Sequence, residues 1–313
     1  MAETKRIATR DSYGRALAEL GRENENIVVL DADLADSTRT AMFRKEFPDR
    51  HIDCGIAEAN MMSIAAGLAA TGKIPFASSF AMFAAGRAYE QIRNSIGYPH
   101  LNVKICASHA GISVGEDGAT HQCNEDMLLM RSIPGMVVIN PADDVEARAA
   151  VKAAAEYQGP VYIRLGRLAV PVVNDEETFC LEIGKAVTLK QGTDITIIAT
   201  GLMVERALQA AEQLEAEGIS VRVLDMHTIK PIDREAILAA AKETKGIVTA
   251  EEHSVIGGLY SAVCEVVASE APCKVAPVAI MDEFGCSGNA LDLLELFHLN
   301  AKTIIEKAKA LLA

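Results

Sequence analysis

The stretch Ile27-Val28-Val29-Leu30-Asp31-Ala32-Asp33-Leu34-Ala35-Asp36-Ser37 decides how the fold is read. Its aliphatic start predicts a strand, and the acidic segment after it predicts a loop at the strand's carboxyl end, where ligand groups collect in a doubly wound sheet. Similar runs recur at Val103-Lys104-Ile105-Cys106-Ala107, Met136-Val137-Val138-Ile139 and Val161-Tyr162-Ile163-Arg164, with helix-compatible stretches between them. That alternation predicts a parallel sheet with crossover helices. A second series follows at Ile195-Thr196-Ile197-Ile198-Ala199, Val221-Arg222-Val223-Leu224, Gly246-Ile247-Val248-Thr249-Ala250 and Val275-Ala276-Pro277-Val278-Ala279-Ile280. Helical patterns at Val204 to Glu217, closed by Gly218, and at Arg234 to Lys242 lie between these strands. The segment from Leu168 to Gly184 holds Pro171, Asn174 and Asp175-Glu176-Glu177 and follows neither period. The expected layout is therefore α/β with two doubly wound domains, residues 1–167 and 185–313, joined by a linker at 168–184.

A chain of 313 residues, half of them apolar, can bury two medium-sized cores. No apolar run approaches the roughly 20 residues needed to cross a bilayer, and Met1-Ala2-Glu3-Thr4-Lys5-Arg6 lacks the apolar core of a signal peptide. The expectation is a cytoplasmic protein without a membrane partner. The seven cysteines are scattered, with no Cys-x-x-Cys pair, which favours reduced thiols over a disulfide framework or a zinc site. Forty-three acidic against thirty basic residues give a net charge of −13, which argues against nucleic acid as a partner. An anionic substrate then needs a local basic pocket.

Three segments carry chemistry. In Asp53-Cys54-Gly55-Ile56-Ala57-Glu58-Ala59-Asn60, Glu58 stands at the start of an apolar helical pattern through Met61, Ile64, Ala65 and Leu68, where the helix dipole favours a carboxylate. Ser79-Phe80-Ala81-Met82-Phe83 offers two of only eight phenylalanines; taken alone, the pair suits a core as well as a site. Gly115-Glu116-Asp117-Gly118-Ala119-Thr120-His121-Gln122 flanks Asp117 with glycines that permit tight turns, so that Asp117 and His121 can share one cleft. Asp117, His121 and Cys123 also have metal-ligating atoms but no recognised ligand spacing, and no metal site is expected.

Together these segments resemble the pyrimidine-binding half of transketolase, a thiamine diphosphate enzyme. The Gly-Asp-Gly and downstream Asn that hold the diphosphate and its divalent ion in full-length relatives do not occur here. The resemblance thus implies one subunit of a split transketolase: a pyrimidine-binding domain followed by a transketolase C-terminal domain. It implies thiamine diphosphate as cofactor, Mg2+ or Ca2+ held by a partner subunit carrying the diphosphate-binding domain, and an α2β2 heterotetramer in the pentose phosphate pathway. Glu58 would bond a ring nitrogen of the aminopyrimidine and so activate the cofactor's own base, with Phe83, beside Phe80, stacking on the ring. Transketolases commonly place a tyrosine one turn after the stacking phenylalanine, where this chain has Gly86.

By the same resemblance Asp33 lies near the cofactor and the subunit contact, Leu34 supports the bent cofactor, and Ser37 reaches the substrate phosphate. Asp117 and His121 would contact sugar hydroxyl and carbonyl oxygens, with His121 assisting proton transfer. Arg10, His109 and Arg164 would clamp the phosphate, for which an arginine fork is well suited. Leu224 to Asp233 and Glu251 to Leu259 resemble the third domain shared by transketolases, deoxyxylulose phosphate synthases and 2-oxo acid dehydrogenase beta subunits; His227 and His253 are assigned to scaffold. The expected activity is transfer of a two-carbon ketol unit from a ketose phosphate to an aldose phosphate. The alternatives are the beta subunit of a 2-oxo acid dehydrogenase and a non-catalytic assembly protein of the same fold.

Overall fold

The computed structural model describes residues 5–313, so Met1 to Thr4 of the expected leaderless start lie outside the described residues. A seven-stranded sheet runs in the spatial order Thr228–Lys230, Val137–Ile139, Val161–Arg164, Lys104–Ser108, Ile74–Phe80, Ile27–Asp31 and His51–Asp53. Every neighbouring pair is parallel except the first. Three of these strands, Thr228–Lys230, Ile74–Phe80 and His51–Asp53, are not announced by aliphatic runs. Ile74–Phe80 is fully central yet holds Pro75, Ser78 and Ser79, and it tolerates Ser78 because that hydroxyl pairs with the buried Tyr13 phenol at 2.7 Å.

Helices cover both faces, as a parallel sheet requires. On one side Thr9–Glu23 brings Tyr13, Ala16, Leu17 and Leu20 against Ala150, Val151 and Ala154 of Asp144–Glu156. On the other, Glu58–Ala70 buries Met61, Met62 and Ala65 beside Ala84, Ala85 and Ile92. Each such aliphatic side chain taken out of water contributes roughly 1.5–3 kcal/mol. The segments Met82–Arg87 and Ile92–Gly97 are wound as π-helix, a looser turn that is common at functional sites.

The second sheet orders Val275–Ile280, Ile247–Ser254, Ile195–Ala199, Val221–Asp225 and Val187–Lys190, with only the last strand antiparallel to its neighbour. Its core joins Ile195, Ile197, Val221, Val223 and Val248 to the inner faces of helices Met203–Ala216 and Ala301–Leu312.

The two halves are stitched together. Thr228–Lys230, from the second half, pairs antiparallel with Val137–Ile139 and forms the edge of the first sheet, and the Lys230 ammonium donates to the carbonyls of Arg131 and Ile133. Within the expected linker, Ala169–Pro171 pairs antiparallel with Arg6–Ala8. No helix among the described residues is long and apolar enough to cross a membrane.

Candidate active site

The carboxyl ends of five parallel strands converge on one cleft rim, the position at which a doubly wound sheet binds ligands. His51–Asp53 leads to Gly55 and Glu58, Ile27–Asp31 to Asp33 and Ser37, Ile74–Phe80 to Phe83 and Arg87, Lys104–Ser108 to His109, and Val161–Arg164 to Arg167. Asp31 shapes the second of these turns. Its buried carboxylate accepts from the Thr38 and Thr40 hydroxyls at 2.7 and 2.9 Å and from the Leu34 amide. Asp53 joins that turn to the next segment, accepting from the Asp33 and Gly55 amides at 3.0 and 2.9 Å. Leu34 is half-buried in this turn and Asp33 exposed. Both Asp33 and His109 adopt left-handed backbone, with φ of 59° and 56°, a conformation costly for side-chain-bearing residues and concentrated at sites.

A run of contacts joins most of the expected residues. Glu58, the first residue of its helix and only 2% exposed, accepts from the Arg87 guanidinium at 2.8 Å. Arg87 lies over the Phe83 ring, 4.5 Å from its centroid. Phe83 is near-parallel to Phe80 at 5.9 Å, and His121 meets Phe83 edge-on at 5.2 Å. Phe80 stacks on His109 at 3.9 Å. The His109 Nε2 lies 3.0 Å from the Arg10 guanidinium, which also donates to the Ser37 carbonyl at 3.0 Å. Because arginine can only donate, His109 Nε2 must accept, so Nδ1 carries the proton and donates to the Ser108 hydroxyl at 2.8 Å.

Positive charge predominates in this corner, with Arg39 paired to Asp11 and Arg167 to Glu116 at its margin. Burial, followed by the neighbouring Arg10, Arg167 and Arg39, pushes the His109 pKa down to about 3, so the ring is neutral at physiological pH. Burial and the charges of Arg39 and Arg167 lower that of Arg10, with Asp11 opposing. The buried Nε of Arg10 has no hydrogen-bond partner among the described residues. Three guanidiniums around a neutral imidazole, one with a spare buried donor, suit an anion.

The Gly115 to Gln122 segment wraps the other side. Gly111 and Gly115 precede and open it with φ of 80° and 88°, and a Cβ on Gly111 would come within 2.3 Å of the Glu252 carboxyl carbon. Gln122 donates to the carbonyls of Ile112 and Cys286, and the Ser287 hydroxyl donates to the Glu116 carbonyl, so the loop is fastened to the second half. His121 faces the two phenylalanines, with Nδ1 3.0 Å from the Thr120 hydroxyl, whereas Asp117 is exposed on the turn. Phe83, Gly86, Arg87 and Thr120 line one side of a cleft of about 790 Å³, and Ser254 and Phe284 line the other.

Arg164 requires a correction. The sequence reading puts it in the phosphate clamp, but its guanidinium is buried and spent: Nε donates to Asp126 at 2.9 Å and the fork donates to the Glu252 carbonyl at 2.8 Å. It is the last residue of a buried strand and locks the halves together. Arg167, three residues on and past the end of the strand, stands on the loop instead, donating to Glu116 at 3.0 Å and to the Val114 carbonyl. The sequence did hold the clue: in a parallel sheet the ligand side chains come from the loop after the strand. Among the described residues, no group of three His, Cys, Asp or Glu side chains is arranged to hold a metal ion.

Fold and site thus define a pyrimidine-binding domain of the thiamine diphosphate type with a second α/β domain packed on it. Comparison with known proteins agrees. Residues 5–172 match the transketolase pyrimidine binding domain and residues 184–304 the transketolase C-terminal domain. A transketolase C-terminal section from Methanocaldococcus jannaschii is 53% identical over 300 residues, covering 95% of this chain and 94% of that protein. The 6-deoxy-6-sulfo-D-fructose transketolase subunit SqwH of a Clostridium strain is 46% identical over 96% of this chain and 92% of its own length. Human transketolase is 40% identical, and the 98% of this chain that aligns spans 49% of it. Among solved structures, a split gene transketolase described as an inactive beta4 tetramer superposes with a TM-score of 0.92 at 55% identity, over 98% of both chains. The chain belongs to the transketolase family, as a beta-type subunit of its split form. The comparisons favour neither a 2-oxo acid dehydrogenase subunit nor a non-catalytic protein of this fold.

Proposed function

We propose that this chain forms the pyrimidine-binding half of a two-subunit transketolase that moves a two-carbon ketol unit from a ketose phosphate to an aldose phosphate. The observation that carries this reading is the juxtaposition of a buried carboxylate and an aromatic face, Glu58 and Phe83, with a cluster of guanidiniums in an otherwise acidic protein. The first pair fits an aminopyrimidine: a flat apolar face and one acceptor, with Phe80 and Leu34 beside them. Bound thiamine diphosphate supplies the carbon nucleophile and the electron sink that the side chains here do not have. Glu58 holds a proton on the ring nitrogen and thereby sets the protonation of the amino group. His121 and Asp117 orient the sugar's oxygens, with His121 moving a proton at the oxygen near the bond that breaks.

Arg10, Arg167, His109 and Ser37 receive the phosphate, with Arg39 adding charge. His109 stays neutral and adds no charge: with its Nδ1–H given to Ser108 and Nε2 accepting from Arg10, it orients Arg10 at the phosphate. The divalent ion and diphosphate belong to the partner chain, and two copies of each chain assemble as α2β2 in the cytoplasm. Pentose phosphates are the default substrates. The beta4 tetramer described for the split-gene relative supports self-association of such a chain when its partner is missing.

The test is kinetic. In the reconstituted complex, Arg167→Ala and Arg10→Ala should raise KM for phosphorylated sugars roughly 10-fold or more with kcat changed little, because a remote phosphate is held alike in ground and transition states. Turnover of unphosphorylated sugars should not change. Equal losses on both substrate classes would remove phosphate recognition from this corner.

A further inference from the structure

Arg87 is the one member of the contact run that neither the motifs nor the proposed chemistry uses. We propose that Arg87 and the aminopyrimidine compete for one seat, so that the arginine must move aside for the cofactor to bind; this rests on the cofactor reading given above. A guanidinium is planar, stacks on aromatic faces and donates to carboxylates. Here it does both things the aminopyrimidine would do, at the same two residues: it lies 4.5 Å over Phe83 and donates to Glu58 at 2.8 Å. Glu58 is 2% exposed, and among the described residues its carboxylate accepts from Arg87 alone, through Oε2. A buried carboxylate with no partner at all would be costly, and Arg87 removes that cost.

Arg87 is built to leave. Its side chain is 51% exposed, Glu58 is its sole hydrogen-bond partner among the described residues, and it borders the cleft of about 790 Å³ into which it can swing. It ends the π-wound turn Met82–Arg87 directly after Gly86. A Cβ at Gly86 would come within 2.1 Å of the Met82 terminal methyl, so the glycine leaves room for the flexible end of Met82 inside the turn that delivers Arg87 to Glu58. The missing family tyrosine and the arginine placeholder are thus features of one turn.

An occupied seat lowers apparent cofactor affinity by the fraction of chains in which it is free. Calorimetric titration of thiamine diphosphate with Mg2+ into the assembled complex tests this with wild type, Arg87→Met, Arg87→Lys and the Glu58→Gln background. Arg87→Met should bind about tenfold tighter if the seat is free in roughly a tenth of wild-type sites. Arg87→Lys, which keeps the charge but not the plane, should fall between. In Glu58→Gln, adding Arg87→Met should change little, since no buried charge remains to be compensated. Melting curves give a readout independent of affinity: Arg87→Met should lower the melting temperature of the cofactor-free protein and leave that of the loaded complex unchanged. Weaker binding by Arg87→Met or by Arg87→Lys would make Arg87 a cofactor contact and overturn the proposal, as would affinities within twofold of wild type. If the wild-type complex bound no thiamine diphosphate, the cofactor reading itself would fall.

Discussion

Glu58 concentrates the account at the scale of single residues. Its position at a helix start is set by sequence, but its near-complete burial is set by the packing of the π-wound turn over it. Glu58→Gln keeps the shape and removes the charge, so the assembled complex should still take up cofactor while turnover drops by ~10²–10⁴-fold, the range of a lost acid–base contribution. Exchange of the thiazolium ring proton for deuterium, followed by NMR in the complex, should slow in parallel, and an exchange rate equal to wild type would take Glu58 out of the mechanism. Glu58 drew attention through its place at a helix start, whereas Phe80, Phe83, His109 and Arg10 were singled out by the resemblance, since taken alone each suits a core or a surface as well as a site. Arg164 and Arg167 differ in the sequence only by position, one the last residue of the strand and the other on the loop after it, and burial shows the first paired with Asp126 and the second on the loop. Arg87 carried no sequence signal, because its role depends on where an irregular turn puts it.

At the scale of elements, the helix Leu259–Glu270 shows how the fold manages an uncapped start. Gly258 offers no side chain there, and Glu251 on the neighbouring strand accepts from the Leu259 amide and, at 2.8 Å, from the Tyr260 amide. Burial nevertheless outweighs these bonds and pushes the Glu251 pKa up to about 7. A carboxyl whose pKa is raised on folding gives stability that is fully present below its unfolded value of about 4.5 and is lost as pH climbs through about 7. The loss amounts to about 3 kcal/mol between those limits. Glu251→Gln cannot titrate, so the stability gap between wild type and this variant should narrow from pH 5 to pH 8 in urea unfolding; a gap independent of pH would contradict the assignment. The regular strands and helices were legible from their periods. The π-wound turns were not, since one extra residue per turn leaves a 3.6-residue pattern only slightly blurred, and neither was Thr228–Lys230, a three-residue strand whose partner lies some ninety positions away.

For the whole molecule, the two α/β layers were legible and their union was not. The halves are joined by the sheet edge Thr228–Lys230, the bond from buried Arg164 to the Glu252 carbonyl, and the Gln122 bond to Cys286, none of which leaves a local sequence pattern. The half-site proposed for the cofactor sits at an edge where large apolar side chains stand in the open: Ile56, two residues before Glu58, is 76% exposed, and Phe284, lining the cleft beside Arg87, is 90% exposed. Apolar surface of this kind marks an interface, and an obligate one commonly buries ~2,000 Å² or more. A site split between two chains makes its activity a property of the assembly. The direct test is to assay two-carbon transfer between phosphorylated sugars with thiamine diphosphate and Mg2+ for the purified chain, for a purified chain carrying the diphosphate-binding domain, and for their mixture. The account predicts turnover in the mixture alone, and sustained turnover by this chain without its partner would contradict it.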